Sequence, residues 1–113
     1  MSTPKDRLFE VYETYRIAKL HHAADWKDAK TLGEAKKIQR NVDALETIFL
    51  KAASAELNAK GDAIEQAYQT AKSARQSVEK AYKGAQKLAD RIRTVSDAAK
   101  SMATLVKKAS EKV

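Results

Sequence analysis

The stretch that decides the fold is Ala67–Ala109, AYQTAKSARQSVEKAYKGAQKLADRIRTVSDAAKSMATLVKKA. Within it Ala67, Ala71, Ala74, Val78, Ala81, Ala85, Leu88, Ile92, Val95, Ala99, Met102, Val106 and Ala109 recur at spacings that alternate between four and three. Every one of them is apolar. Such a pattern draws a single stripe along a helix, and the stripe must be covered by other helices. The spacing predicts one long third helix over 63–112, roughly 75 Å at 1.5 Å per residue.

A matching seam stands upstream at Ala35, Ile38, Val42, Leu45, Phe49 and Ala52. Lys60-Gly61-Asp62 between the two seams is short enough for an antiparallel hairpin. Folded there, large residues of helix two meet small residues of helix three: Phe49 falls against Ala71 and Ala74, Leu45 against Val78. Helix two then runs out opposite the bulkiest part of the third-helix seam. Ile92, Val95, Met102, Leu105 and Val106 are left as an open end, the expected partner-binding contact.

Helix starts are marked by Thr3-Pro4-Lys5-Asp6, by Thr31-Leu32-Gly33-Glu34 and by Asp62-Ala63-Ile64-Glu65. Each offers a capping side chain and an acidic residue three positions on. The resulting helices are about 4–27, 32–59 and 63–112, one all-α domain over 1–113. Helix one has two possible placements. It extends helix two along the far end of helix three, or it folds back into a three-helix antiparallel bundle with helix two using a second face at Ala44, Ile48, Ala52 and Ala55. The break in apolar phase between helices one and two, with the Thr31 cap, favours the bundle.

The chain is basic, 22 Lys and Arg against 15 Asp and Glu in 113 residues, for a net charge of +7. The excess gathers in the third helix. Lys72, Arg75, Lys80, Lys83, Lys87 and Arg91 form a basic face that would steer an acidic partner. There is no Cys, which excludes a disulfide scaffold, a thiolate metal site and a cysteine nucleophile. The longest strictly apolar run is Ile48-Phe49-Leu50, too short for a membrane span or a signal-peptide core, so the expected location is the cytoplasm.

Catalytic patterns are missing. Glu10, Glu13 and Glu34 lack the His three positions on that a carboxylate-bridged di-metal bundle uses. The three glycines, Gly33, Gly61 and Gly84, form no phosphate loop. His21 and His22 point about 100° apart on a helix, a poor pair for one metal. The expectation is a non-enzymatic module without cofactor that binds a protein partner, such as a small inhibitor, immunity protein or chaperone of an acidic toxin or effector. Self-association as a homodimer is compatible with the open seam. Two other readings stay open: a self-assembling amphipathic protein on lipid surfaces, and nucleic-acid binding through the basic face of helix three, although Tyr82 is that stretch's one aromatic.

Overall fold

The computed structural model of the chain describes residues 1–84 and 86–111. They form α1 (Pro4–Asp28), α2 (Leu32–Ser54), α3 (Asp62–Lys83) and α4 (Leu88–Ala109), with no strand among the described residues. The all-helical bundle expected from the sequence is present, with four helices in place of three.

Local chemistry sets the first two starts. Thr3 Oγ1 accepts from the Asp6 amide while the Asp6 carboxylate accepts from the Thr3 amide, and Pro4 opens α1. Thr31 caps Glu34 in the same way, but the Glu34 side chain reaches one residue further back, to the Lys30 amide. The box expected at Asp62–Glu65 does not form. Gly61 stands at the N-cap with φ of 127°, a conformation open to glycine, and Glu65 turns away to accept from Ser2.

The long third helix does not exist as one piece. The chain leaves the helical path at Gly84, and α4 starts at Leu88 and runs back along α3. The reason lies in burial. A straight helix of that length would leave half its stripe in water, whereas the reversal turns the stripe's two halves onto each other. Val78 and Ala81 of α3, and Val95, Ala99, Met102 and Val106 of α4, are all buried, within a bundle only 47 Å long. Ala85 and Lys112, parts of the expected helix, lie outside the described residues.

Pairing differs from the expected hairpin at Gly61. α1 and α2 run antiparallel, joined by Tyr15 to Glu46 and His22 to Gln39. α1 and α3 run parallel, tied by Arg7 to Glu65 near their starts and by Asp25 to Tyr82 at their ends. α2 and α4 are also parallel, with Asn41 Nδ2 donating to the Ile92 carbonyl. α2 and α3 occupy opposite corners and do not pack on each other, so the pairings of Phe49 with Ala71 and Leu45 with Val78 are not made as a hairpin. Leu45 and Val78 are both fully buried, but through the shared centre of four helices.

α2 ends at Ser54, five residues earlier than its apolar pattern suggests, because residues 55–61 must cross the end of the bundle to reach α3. This crossing is fastened rather than loose. Leu57 and Ala59 are buried, Ala59 donates its amide to the Ala109 carbonyl at 3.0 Å, and Arg7 donates to the carbonyls of Leu57 and Ala59. Arg7 is itself only 2% exposed, so its charge is spent inside the protein on these carbonyls and on Glu65.

Candidate functional site

Four of the five residues expected to form an open contact are interior. Val95, Met102, Leu105 and Val106 are buried among side chains from all four helices, and Ile92 is half-buried. The reversal at Gly84 supplies from within the chain the cover that an open seam would have sought elsewhere.

The expected basic face is divided. Arg75 pairs with Glu10 and Glu79, lying over the ring of Phe9, and Glu10 is fully buried behind it. Arg91 pairs with Asp25 at 3.1 Å and with Asp28 at 3.6 Å, and also donates to the Gln86 carbonyl. These two arginines hold helices together. Lys80, Lys83 and Lys87 are exposed around the α3–α4 reversal, and Lys72 is half-buried on α3.

Around Asp25 the structure builds a polar junction. The Tyr82 hydroxyl donates to Asp25 Oδ2, and His21 stacks on the Tyr82 ring with centroids 4.1 Å apart. Burial, with the Asp25 carboxylate behind it, pushes the Tyr82 hydroxyl well above its ordinary range. His22 hydrogen-bonds Gln39 instead of sharing a ligand with His21. Among the described residues no three of His, Asp and Glu converge on a point where a metal would sit.

An open concave surface lies elsewhere, between the parallel helices α2 and α4. A groove of about 830 Å³ is floored by Ala44, Ile48, Ile92, Ala99 and Ala103 and flanked by Lys37, Arg40, Arg93 and Lys100. It continues past Ile48 and Ala103 into a second depression of about 540 Å³, where Ala55 and Val106 supply apolar surface and Lys51 and Lys107 the charge. Asp97 is the single acidic side chain along both parts.

Why the groove exists follows from the sequence. α2 has two apolar faces: Ile38, Leu45 and Ala52 face the core, while Ala44 and Ile48 stand on the next strip round the helix. A four-helix ring uses only the first fully, so the second is left facing α4 across small alanines. The six cations are all exposed and sit on both margins, Lys37, Arg40 and Lys51 on α2 and Arg93, Lys100 and Lys107 on α4. The α4 set recurs every seven residues, two helical turns, so it forms a row along one edge. That heptad of cations is readable in the sequence, interleaved with the heptad of apolar residues.

Comparison with protein-family models, with curated proteins and with solved structures gives no significant match.

Proposed function

We propose that the chain is a non-enzymatic binding module that takes an acidic protein partner into the groove between α2 and α4. One observation carries the reading: an open apolar floor with three cations on each margin and a lone carboxylate. Exposed apolar surface bounded by like charge favours a partner that offers both apolar contact and the opposite charge. On this reading the contact surface is the groove and not the buried residues of α4. The lysines around the α3–α4 reversal add to a long-range field that draws acidic proteins in.

A photo-crosslinking residue at Ala103, on the groove floor, tests this in the native host, with the same group at Gln69 on the far side of α3 as control. The expected result is an adduct at Ala103 alone, with a protein whose crosslinked segment is acidic, lost in the Lys100→Glu, Lys107→Glu variant. Equal adducts at both positions, adducts only with lipid or nucleic acid, or none at all would overturn the proposal.

A further inference from the structure

We infer that the groove receives its partner as a single acidic amphipathic α-helix, lying along α2 and α4 as a fifth helix of the bundle; this rests on the reading above that the groove is the binding surface. Three features point to a helix over an extended segment.

The first is backbone chemistry. Both walls are helices whose own amides and carbonyls are already paired along their axes, so they offer no ladder to an extended peptide. A strand laid on this apolar floor would leave its N–H and C=O groups unmet, while a helix arrives with them satisfied. A polyproline segment would want aromatic walls, and the groove lining contains none.

The second is shape. Ala44, Ala99 and Ala103 give the floor a row of small side chains, which lets a third helix axis come close, about 8 Å from its neighbours. From Lys37 to Ser54 on α2 the groove spans about 26 Å at 1.5 Å per residue. An occupant of about 18 residues, five turns, fills it.

The third is charge register. Arg93, Lys100 and Lys107 recur every seven positions on one margin, and Lys37 and Lys51 are separated by twice that on the other. These are the positions that flank an apolar seam in paired helices, where opposite charges on the incoming helix fix orientation and partner choice. The matching occupant carries apolar residues at alternating spacings of three and four, with Glu or Asp flanking them at intervals of seven. A second copy of this chain is disfavoured as occupant, because each copy brings a net charge of +7 to the same basic margins.

The test uses the full chain and two synthetic 18-residue peptides of Leu, Glu and Ala. One has Leu at the seam spacing and Glu at the flanks. The other has the same composition with the spacing scrambled. Fluorescence anisotropy and circular dichroism at low and high salt are the readouts. The amphipathic peptide should bind at least tenfold more tightly than the scrambled one, gain helix on binding, and weaken tenfold or more with either Ala103→Trp or Lys100→Glu, Lys107→Glu. Equal binding of both peptides would mean charge attraction alone and would overturn the inference. So would binding without helix gain, or binding that both variants leave unchanged. A peptide that fails while the Ala103 crosslink to an acidic protein persists removes only the helical mode; loss of both removes the functional proposal too.

Discussion

Tyr82, one residue from the end of α3, donates its hydroxyl proton at 2.6 Å to Asp25 in the last turn of α1. A carboxylate at a helix C-terminus faces the negative end of the helix dipole. Asp25 sits there buried because Tyr82 and Arg91 supply the compensating hydrogen bond and charge. The junction therefore joins three helices, α1, α3 and α4, through one side chain.

Tyr82→Phe should cost about 2 kcal/mol in urea unfolding, within the worth of a hydrogen bond to a charged group. Asp25→Ala should cost more, about 3 kcal/mol, since it strips Arg91 of its nearer partner. The double variant should fall short of the sum, because both changes dismantle one network. The raised Tyr82 hydroxyl adds an alkaline signature. Its contribution is complete below the ordinary value of 10.0 and is lost as pH rises through the higher folded value, so Tyr82→Phe should flatten the alkaline limb of the stability curve.

The crossing segment 55–61 gives a second expectation. Arg7→Ala removes the donor to two backbone carbonyls and unpairs Glu65 from a buried guanidinium, so a loss of about 3 kcal/mol or more is expected. Amide exchange at Ala59, which donates to Ala109, should accelerate well beyond that at Leu45 in the middle of α2. Native-state hydrogen exchange reads both.

Acid should act through the amino-terminal capping contacts. Hydrogen bonds from the Ser2 amide and hydroxyl, with Arg7 beside them, hold Glu65 below its ordinary 4.5. The Thr3 amide and hydroxyl hold Asp6 below 3.8. A carboxylate with a lowered folded value stabilises the protein fully above its unfolded value and loses that contribution as pH falls through the folded one. The acid limb should therefore begin near pH 4.5 and continue downward, and Glu65→Gln should shallow it in a circular-dichroism titration.

The reversal between α3 and α4 has a direct geometric check. Spin labels at Gln66 and Thr104, both exposed, would stand about 57 Å apart on a straight helix. Folded back, both lie at the same end of a bundle 24 Å across its wider short axis, so a distance below about 30 Å is expected by electron–electron resonance. Met102→Asp with Val106→Asp should abolish the cooperative unfolding transition, because both positions are interior.

Much of this architecture is legible in the residues. Thr3 and Thr31 announce two helix starts through side-chain chemistry that needs no tertiary context, and the seam from Ala67 to Ala109 names most of the core of α3 and α4. Periodicity does not reveal where a stripe doubles back. The 4–3 rhythm continues across Gly84 in phase, no proline interrupts it, and α4 begins at Leu88 with no side-chain cap from Lys87. Gly84 is thus the local mark of the break, and a glycine inside a helical pattern reads equally as a tolerated defect. Burial of the whole stripe decides it, a property of all four helices together. The groove was hidden for a related reason. Ala44 and Ile48 register as a second apolar face, but whether a face is covered depends on how many helices close the ring.

Ala59 is held from two sides, by Arg7 of the first helix and by the carbonyl of Ala109 at the end of the last. On the ribosome this ordering matters. The first three helices emerge before the acceptor that the Ala59 amide requires, so the end of the bundle stays unlatched until residue 109 has cleared the exit tunnel. Latching is therefore a late event in the chain's birth, falling after the α1–α2 hairpin and α3 have already emerged.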